Sequence, residues 1–263
     1  MKTILIVGAS SGIGKAAAKM LVARGHNVVN MSRGKCAAKK VVNITLDVAS
    51  NLSIAEAVRL FKEKHGKIDA LVYCAGISIA APVEVTKQED YTNLFDVNLF
   101  GFAKIVQHIL PMMRKQEHGK IIAVGSLAGL APIAFNPFYN ASKAALLALV
   151  KSLDMELGEF DALHASIILP GGVATGFSEK RKVYPSSKVK DYKEQMEKAV
   201  EAITEIEQGG SSPEDVAKEI VDIIKAKNPP VVRIVGKANK AQVMASNILP
   251  ERLVNVLNKR KYS

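Results

Sequence analysis

Cysteine is nearly absent: Cys36 and Cys74 are the only two in 263 residues. That is too few for a disulfide framework, so both read as free thiols in a reducing compartment, by default the cytoplasm. Long apolar runs are missing as well. The best candidate, around Ala144 to Val150, is interrupted by Lys143 and Lys151, so no transmembrane segment is expected. The opening Met1-Lys2-Thr3-Ile4-Leu5-Ile6-Val7 is too short for the apolar core of a signal peptide and ends in a glycine-rich turn, so it reads as a strand. Histidines are few and scattered (His26, His65, His108, His118 and His164); they match no ligand spacing, and no metal site is expected. There is no internal repeat and no low-complexity linker.

Acidic residues are the scarcer charge. Asp and Glu total 25 against 36 Lys and Arg, a formal net charge of +11. The excess gathers in Lys180 to Lys198 and in Arg233 to Lys261. No aromatic–basic interleaving accompanies it, so nucleic acid is not an expected partner. A solvated basic surface is the plain reading, and attraction of an anionic substrate, cofactor or lipid surface is the alternative.

What is present is an ordinary globular balance, 48% hydrophobic and 23% charged residues, in a chain long enough for one large core. β-rich runs fall at Thr3–Val7, Val28–Met31, Val41–Leu46, Ala70–Cys74, Lys120–Val124, His164–Leu169 and Val231–Val235. Helical patterns lie between them at Ile13–Arg24, Ser53–Lys64, Glu89–Gln116, Tyr139–Glu159 and Pro213–Ala226. Ser53-x-x-Glu56 and Thr86-x-x-Glu89 fit capping boxes, and Ser212-Pro213-Glu214 places a cap before a first-turn proline. Alternation of strand and helix predicts an α/β fold: a single-domain, Rossmann-type, doubly wound parallel sheet of about seven strands with helices on both faces. Residues 175–210 are polar, lysine-rich and without a strand pattern. They follow a strand end and are expected to form a substrate loop or lid with its own helix. Residues 237–263 are expected to form a short helical extension broken at Pro250.

Strand Thr3–Val7 runs into Gly8-Ala9-Ser10-Ser11-Gly12-Ile13-Gly14, and a helix begins. A structural turn could use the same glycines. In this order, however, they allow the backbone to approach a pyrophosphate that the helix N-terminus then stabilises. The second strand ends Asn30-Met31-Ser32-Arg33-Gly34-Lys35, with no acidic residue for a ribose 2′-hydroxyl. Ser32 and Arg33 suit a 2′-phosphate instead, which favours NADP(H) over NAD(H). Asp47, with Val48 after the third strand, either bonds the adenine or ends the strand in a turn. Cys74-Ala75-Gly76 reaches the same edge with small residues that let backbone approach a flat ring.

Strand Lys120–Val124 leads to Ser126, and Tyr139 and Lys143 follow four residues apart on one helix face. A phenol with a pKa near 10 is poorly matched to proton transfer at neutral pH. A nearby ammonium would lower it, and a serine hydroxyl could hold the substrate oxygen while hydride moves to or from a nicotinamide. Isolated Tyr-x-x-x-Lys pairs are common on helices; the full set in this order is not.

From Thr3 to about Thr175 the chain resembles the classical short-chain dehydrogenase/reductase family. The likeness rests on Gly8-x-x-x-Gly12-Ile13-Gly14, Asp47, Cys74-Ala75-Gly76, Asp96-Val97-Asn98, Ser126, Tyr139-x-x-x-Lys143 and Pro170-Gly171-Gly172-Val173-Ala174-Thr175. It implies that Ser126 orients a carbonyl, that Tyr139 exchanges the proton, and that Lys143 lowers the tyrosine pKa and bonds the nicotinamide ribose. Asn98 would hold a water linking the lysine to solvent. Pro170, Gly171, Val173 and Thr175 would join the cofactor site, the last two at the carboxamide. Two departures stand out: Val7 where the family has threonine, and Tyr73-Cys74 in place of an asparagine pair.

Ile77, Phe135, Phe138, Phe177, Tyr184 and Met196 are the expected pocket lining, suited to a hydrophobic ketone or alcohol. Val232-Arg233-Ile234-Val235-Gly236 and the basic tail are similar to the hydroxysteroid and retinol dehydrogenase branch, which implies a steroid- or lipid-like substrate. The alternatives are a 3-oxoacyl-thioester reductase, whose basic surface would recruit an acidic acyl carrier protein, and a non-catalytic NADP(H)-binding regulator. The resemblance also implies a homodimer or homotetramer paired through the two long helices.

Overall fold

Valine and isoleucine runs without polar alternation need cover on both faces, and that is how they are used. The computed structural model describes residues 1–185, 188, 190–250 and 252–253. In chain order the strands are β1 (Thr3–Val7), β2 (Asn27–Ser32), β3 (Val41–Thr45), β4 (Ala70–Tyr73), β5 (Ile79–Ala80), β6 (Gly119–Val124), β7 (Leu163–Leu169), β8 (Lys182–Val183) and β9 (Val232–Ile234). The helices are α1 (Gly12–Ala23), α2 (Asn51–Lys64), α3 (Gln88–Phe95), α4 (Gly101–Lys115), α5 (Pro137–Glu156), α6 (Lys193–Gln208), α7 (Pro213–Lys225) and α8 (Lys237–Ile248).

Seven strands form one parallel sheet in the order β3-β2-β1-β4-β6-β7-β9. Side chains alternate across it. Leu5, Val29, Ile121 and Ile167 pack with α2, α4 and α5 on one face, while Ile4, Ile6, Val72 and Ile122 pack with α1 and α7 on the other. The sheet and its two helical layers make one domain. Among the described residues no helix is long and apolar enough to cross a membrane.

Several local expectations change. The single helix expected over Glu89–Gln116 is α3, a π-helical turn at Asp96–Phe100, and α4. The Gly101 N–H bonds the Asp96 carbonyl five residues back. A Cβ on Gly101 would lie 2.6 Å from Tyr73 Oη, so contact with β4 sets this turn. Ser53 does not cap α2. The helix starts earlier, Ser50 accepts the Ser53 N–H, and Ser53 Oγ instead accepts from the Asp47 N–H at 2.9 Å. Thr86 forms no capping box either: its hydroxyl donates to the Pro82 carbonyl and Lys87 holds the cap position. Ser212 caps α7 as expected, in a box completed by Asp215.

Residues 175–210 contain α6 but also a strand: β8 pairs with β5, aligning Ile79 with Lys182. In the tail, α8 ends before Pro250. Ser186, Ser187 and Val189 of the expected lid, and residues 251 and 254–263 of the expected extension, lie outside the described residues.

Candidate active site

The chain leaves β1 for β2 on one side and later returns to β4 on the other. Crossovers that diverge in this way open a crevice beyond the strand ends. A cleft of about 600 Å³ lies there, lined by Gly8, Ser10, Ser11, Gly12, Ile13 and Gly14 from the first loop. Gly8 has φ +94°, and a Cβ there would fall 2.9 Å from the Ala75 nitrogen. At Gly14 a Cβ would fall 2.3 Å from the Gly8 carbonyl oxygen, so the turn closes only without side chains. Ser11, at the N-cap of α1, makes no side-chain capping bond, and the first turn holds no acidic residue. The helix therefore keeps unpaired N–H donors and its positive dipole end. Loop and helix end fit a dinucleotide pyrophosphate.

Buried Asn30 was not foreseen as a site residue. Its Oδ1 accepts the Ala9 N–H at 2.9 Å and its Nδ2 donates to Asn43 Oδ1 at 2.9 Å, tying the glycine loop to β2 and β3. The available signal was an amide inside the apolar run Val28-Val29-Asn30-Met31, since a buried amide must find partners.

At the other end of the cleft lie Ser32, Arg33, Asp47 and Val48. The Ser32 hydroxyl donates to the Gly34 carbonyl at 2.6 Å, so its one proton is committed to its own loop. Arg33 is exposed, and among the described residues it forms no ion pair. Asp47 Oδ1 accepts the Ala49 N–H at 3.0 Å, so the turn reading of this residue holds while it also lines the cleft.

The middle of the cleft collects Cys74, Ala75, Gly76, Ser126, Tyr139, Lys143, Pro170, Gly171, Val173 and Thr175. Ser126 follows β6 and its Oγ accepts the Ala128 N–H at 3.1 Å. Tyr139 and Lys143 stand one turn apart near the start of α5. Lys143 is buried; its Nζ donates to the Val124 carbonyl at 3.1 Å and lies 5.7 Å from the centroid of the Tyr139 ring. Burial lowers its pKa to about 8, with the Cys74 thiol acting the other way. Burial pushes the Tyr139 phenol up to about 12; Ser126 and Arg181 pull it down, and Glu207 adds to the rise. Desolvation is the largest influence on the phenol here, while the Lys143 ammonium donates to the Val124 carbonyl. Burial also raises the Cys74 thiol to about 12, against the pull of Lys143.

Asn98 does not line the cleft. Fully buried in the π turn, it accepts the Ile77 N–H at 2.8 Å and donates to the Ile77 carbonyl and to Ser142 Oγ, each at 3.0 Å. It stands behind Gly76, where a Cβ would lie 3.4 Å from Asn98 Oδ1 and 3.6 Å from Lys143 Nζ. One Oδ1 lone pair is left for a further donor.

The remaining wall comes from the segment after β7. Phe177 sets its ring 6.0 Å from that of Tyr139, and Ile203, Ile206 and Glu207 of α6 line the same cleft. Glu207 pairs with Arg181 at 2.5 Å and accepts from Ser178 Oγ.

A family model described as short chain dehydrogenase matches residues 2–184. The chain is a short-chain dehydrogenase. It is therefore an oxidoreductase acting on CH–OH and keto groups, and its fold binds a nicotinamide cofactor. It is 33% identical over 235 residues to 3-ketodihydrosphingosine reductase of Bacteroides thetaiotaomicron, covering 89% of this chain and 87% of the relative. It is 31% identical over 254 residues to retinol dehydrogenase 8 of Bos taurus, covering 88% and 80%. The solved structure of a short-chain dehydrogenase from Streptomyces avermitilis superposes with a TM-score of 0.80 at 25% identity, covering 94% and 92% of the two chains.

In this short-chain dehydrogenase part of the expected pocket lining serves elsewhere. Ile77 and Phe177 line the cleft, but Tyr184 and Met196 are buried in a separate apolar cluster with Ile79 and Leu94. The Tyr184 hydroxyl donates to Asp90 Oδ2 at 2.6 Å, which pins the segment to α3. Phe138 stacks on Tyr91 at 4.6 Å, and Phe135 lines a neighbouring groove. The basic stretch is also less solvated than its composition suggests: Arg181 is buried against Glu207, and Lys182 pairs with Asp90. Sequence reasoning missed both the Arg181–Glu207 pair and the part played by Ile203 and Ile206.

Proposed function

We propose that this short-chain dehydrogenase uses NADP(H) to interconvert a secondary alcohol and a ketone on a long hydrophobic, lipid- or steroid-like molecule. The observation that carries the reading is a single cleft that joins the glycine loop to Tyr139 and faces it with an apolar wall of Ile77, Ile133, Phe177, Ile203 and Ile206. The names of the relatives, a ketodihydrosphingosine reductase and a retinol dehydrogenase, support a lipid substrate. Arg33, exposed and outside any ion pair among the described residues, supports a 2′-phosphate over a 2′-hydroxyl.

When bound, the nicotinamide supplies or accepts the hydride at the carbonyl carbon. The glycine loop and the N-terminus of α1 hold the pyrophosphate. Lys143, with one N–H on Val124, keeps two donors for the nicotinamide ribose. Ser126 Oγ donates to the substrate oxygen. Tyr139 Oη gives that oxygen its proton in reduction and takes it back in oxidation; burial pushes the phenol up to about 12, so it holds its proton at neutral pH. The described residues between 175 and 210 act as the lid over the pocket. The α4 and α5 region, where Phe100 and Met155 stay exposed, serves as the subunit interface of a homodimer or homotetramer. Two free thiols suit a cytoplasmic setting.

The test is turnover of long-chain ketones, steroid ketones and acetoacetyl thioesters with NADPH and with NADH. The fastest reaction is expected with a long-chain ketone and NADPH, and it is lost in Tyr139→Phe while NADPH still binds. Preference for the thioester would replace this reading with a 3-oxoacyl-thioester reductase. Turnover of none of the three would overturn it.

A further inference from the structure

We propose that Glu207 is the specificity residue of this pocket and takes the ammonium of an α-amino ketone, a long-chain substrate with its amino group on the carbon beside the carbonyl. The inference rests on the lipid-ketone reading above and deepens it.

The distribution of charge along the cleft singles this residue out. Arg33 and Asp47 sit at the ends of β2 and β3, and Lys143 lies beneath Tyr139. Lys180 reaches the rim and is exposed. Among the described residues, Glu207 is the one carboxylate lining the cleft on the substrate side. It projects from α6 four residues after Ile203, on the same helix face, and Ile206, three residues after Ile203, lines the cleft beside it. An alkyl chain lying along that face would carry a neighbouring polar group onto the carboxylate.

The carboxylate is held in place before any substrate arrives. Arg181 Nη2 lies 2.5 Å from Oε1, and Ser178 Oγ donates to Oε2. The guanidinium is 1% exposed and the carboxylate 18%, so neither can swing away without leaving a buried charge unpaired. The arrangement is still unsaturated. A carboxylate has about four lone-pair sites, of which two are used, and Arg181 Nε is buried with no hydrogen-bond partner among the described residues. Proximity to the reacting centre follows from Ser178, which adjoins the Phe177 ring 6.0 Å from Tyr139. The Glu207 charge is also felt at the Tyr139 phenol.

A carboxylate with two lone-pair sites still open rewards a cationic hydrogen-bond donor over a neutral isostere that leaves those sites empty. The competing explanation is a latch that only fastens α6 to the Ser178–Lys180 turn. A latch would affect every substrate alike.

The two are separated by kcat/KM with NADPH for 3-ketodihydrosphingosine, an α-amino ketone, and for the same ketone with hydrogen in place of the amino group. The protein is expected to prefer the amino ketone by about tenfold or more. In Glu207→Gln that ratio should fall towards one, and general damage cancels because it lowers both rates together. The double variant Arg181→Met with Glu207→Leu removes both buried charges at similar volume, a change that proteins tolerate, and should lose the preference in the same way. An unchanged ratio in either variant overturns the inference. Equal turnover of both ketones by the unaltered protein overturns it while leaving the lipid-ketone reading intact. Turnover of neither overturns the inference, and refusal of steroid ketones as well overturns the reading beneath it.

Discussion

Tyr73 Oη donates a 2.6 Å hydrogen bond to the carbonyl oxygen of Val97, and by it β4 holds the π turn that carries Asn98. Tyr73 is fully buried, and burial alone pushes its phenol well above the usual range. This residue is one of the two departures from the family pattern. The contact gives it a structural purpose: a π turn breaks the regular ladder of helical bonds, and here a side chain from the sheet satisfies a carbonyl within it.

Tyr73→Phe is therefore expected to destabilise the protein by about 1–3 kcal/mol, the cost of a buried carbonyl left without its donor. Urea denaturation reads the loss as a lower midpoint at unchanged slope.

Gly14→Ala places a methyl group 2.3 Å from the Gly8 carbonyl, a contact with backbone that no rotamer change relieves. Forcing the loop off α1 should cost about 1–3 kcal/mol. It should also weaken NADPH binding by at least about tenfold, since the donors of the helix end no longer face one point. Thermal unfolding and nicotinamide fluorescence titration measure the two effects separately.

Arg33→Ala should raise the Kd for NADPH by about 10- to 100-fold, the equivalent of one or two charge-assisted hydrogen bonds. NADH, which has no 2′-phosphate, should lose far less. Equal losses for the two cofactors in parallel titrations would show that Arg33 does not read the phosphate.

The pH dependence of stability follows from Lys143 and Tyr139. Lys143 titrates near 8 in the folded protein against 10.5 when exposed. The unfolded chain therefore binds more protons between those values, and stability rises with pH there. The cost of burying the ammonium is fully present below pH 8. Tyr139 and Cys74 work the other way: their folded values near 12 exceed the ordinary 10 and 9, so the unfolded chain ionises first, which slows the climb from about pH 9 and reverses it above about pH 10. Urea midpoints should climb from pH 8 to 10 and then decline. Lys143→Met should flatten the climb without abolishing it, because Lys120 is also lowered to about 8.

Much of the fold was legible because it is written in local periodicity. The seven strands of the sheet fall within about a residue or two of the runs read from apolar patterning. The strand, glycine loop and helix at the chain start needed only their order along the sequence. Tyr139 and Lys143 share a face because residues four apart on a helix always do. Chain order likewise put Ser126 at the end of a strand.

What lay beyond the sequence depends on contacts between distant segments. The break in the helix after Phe95 is set by Tyr73 from another strand. Asn30 became a support of the cofactor loop only once β2 lay beside β3 and Asn43. Arg181 and Glu207 are 26 residues apart, in a stretch that composition alone marks as a basic surface. They pair because the turn after Phe177 and α6 fold back on each other over the cleft. The same fold-back sets the Phe177 ring 6.0 Å from Tyr139, and desolvation of the phenol depends on everything packed around it and not on its neighbours in sequence. Local pattern was enough for the sheet, the glycine loop and the spacing of the catalytic candidates. Packing between distant segments set the surroundings of those candidates and the shape and polarity of the pocket they face.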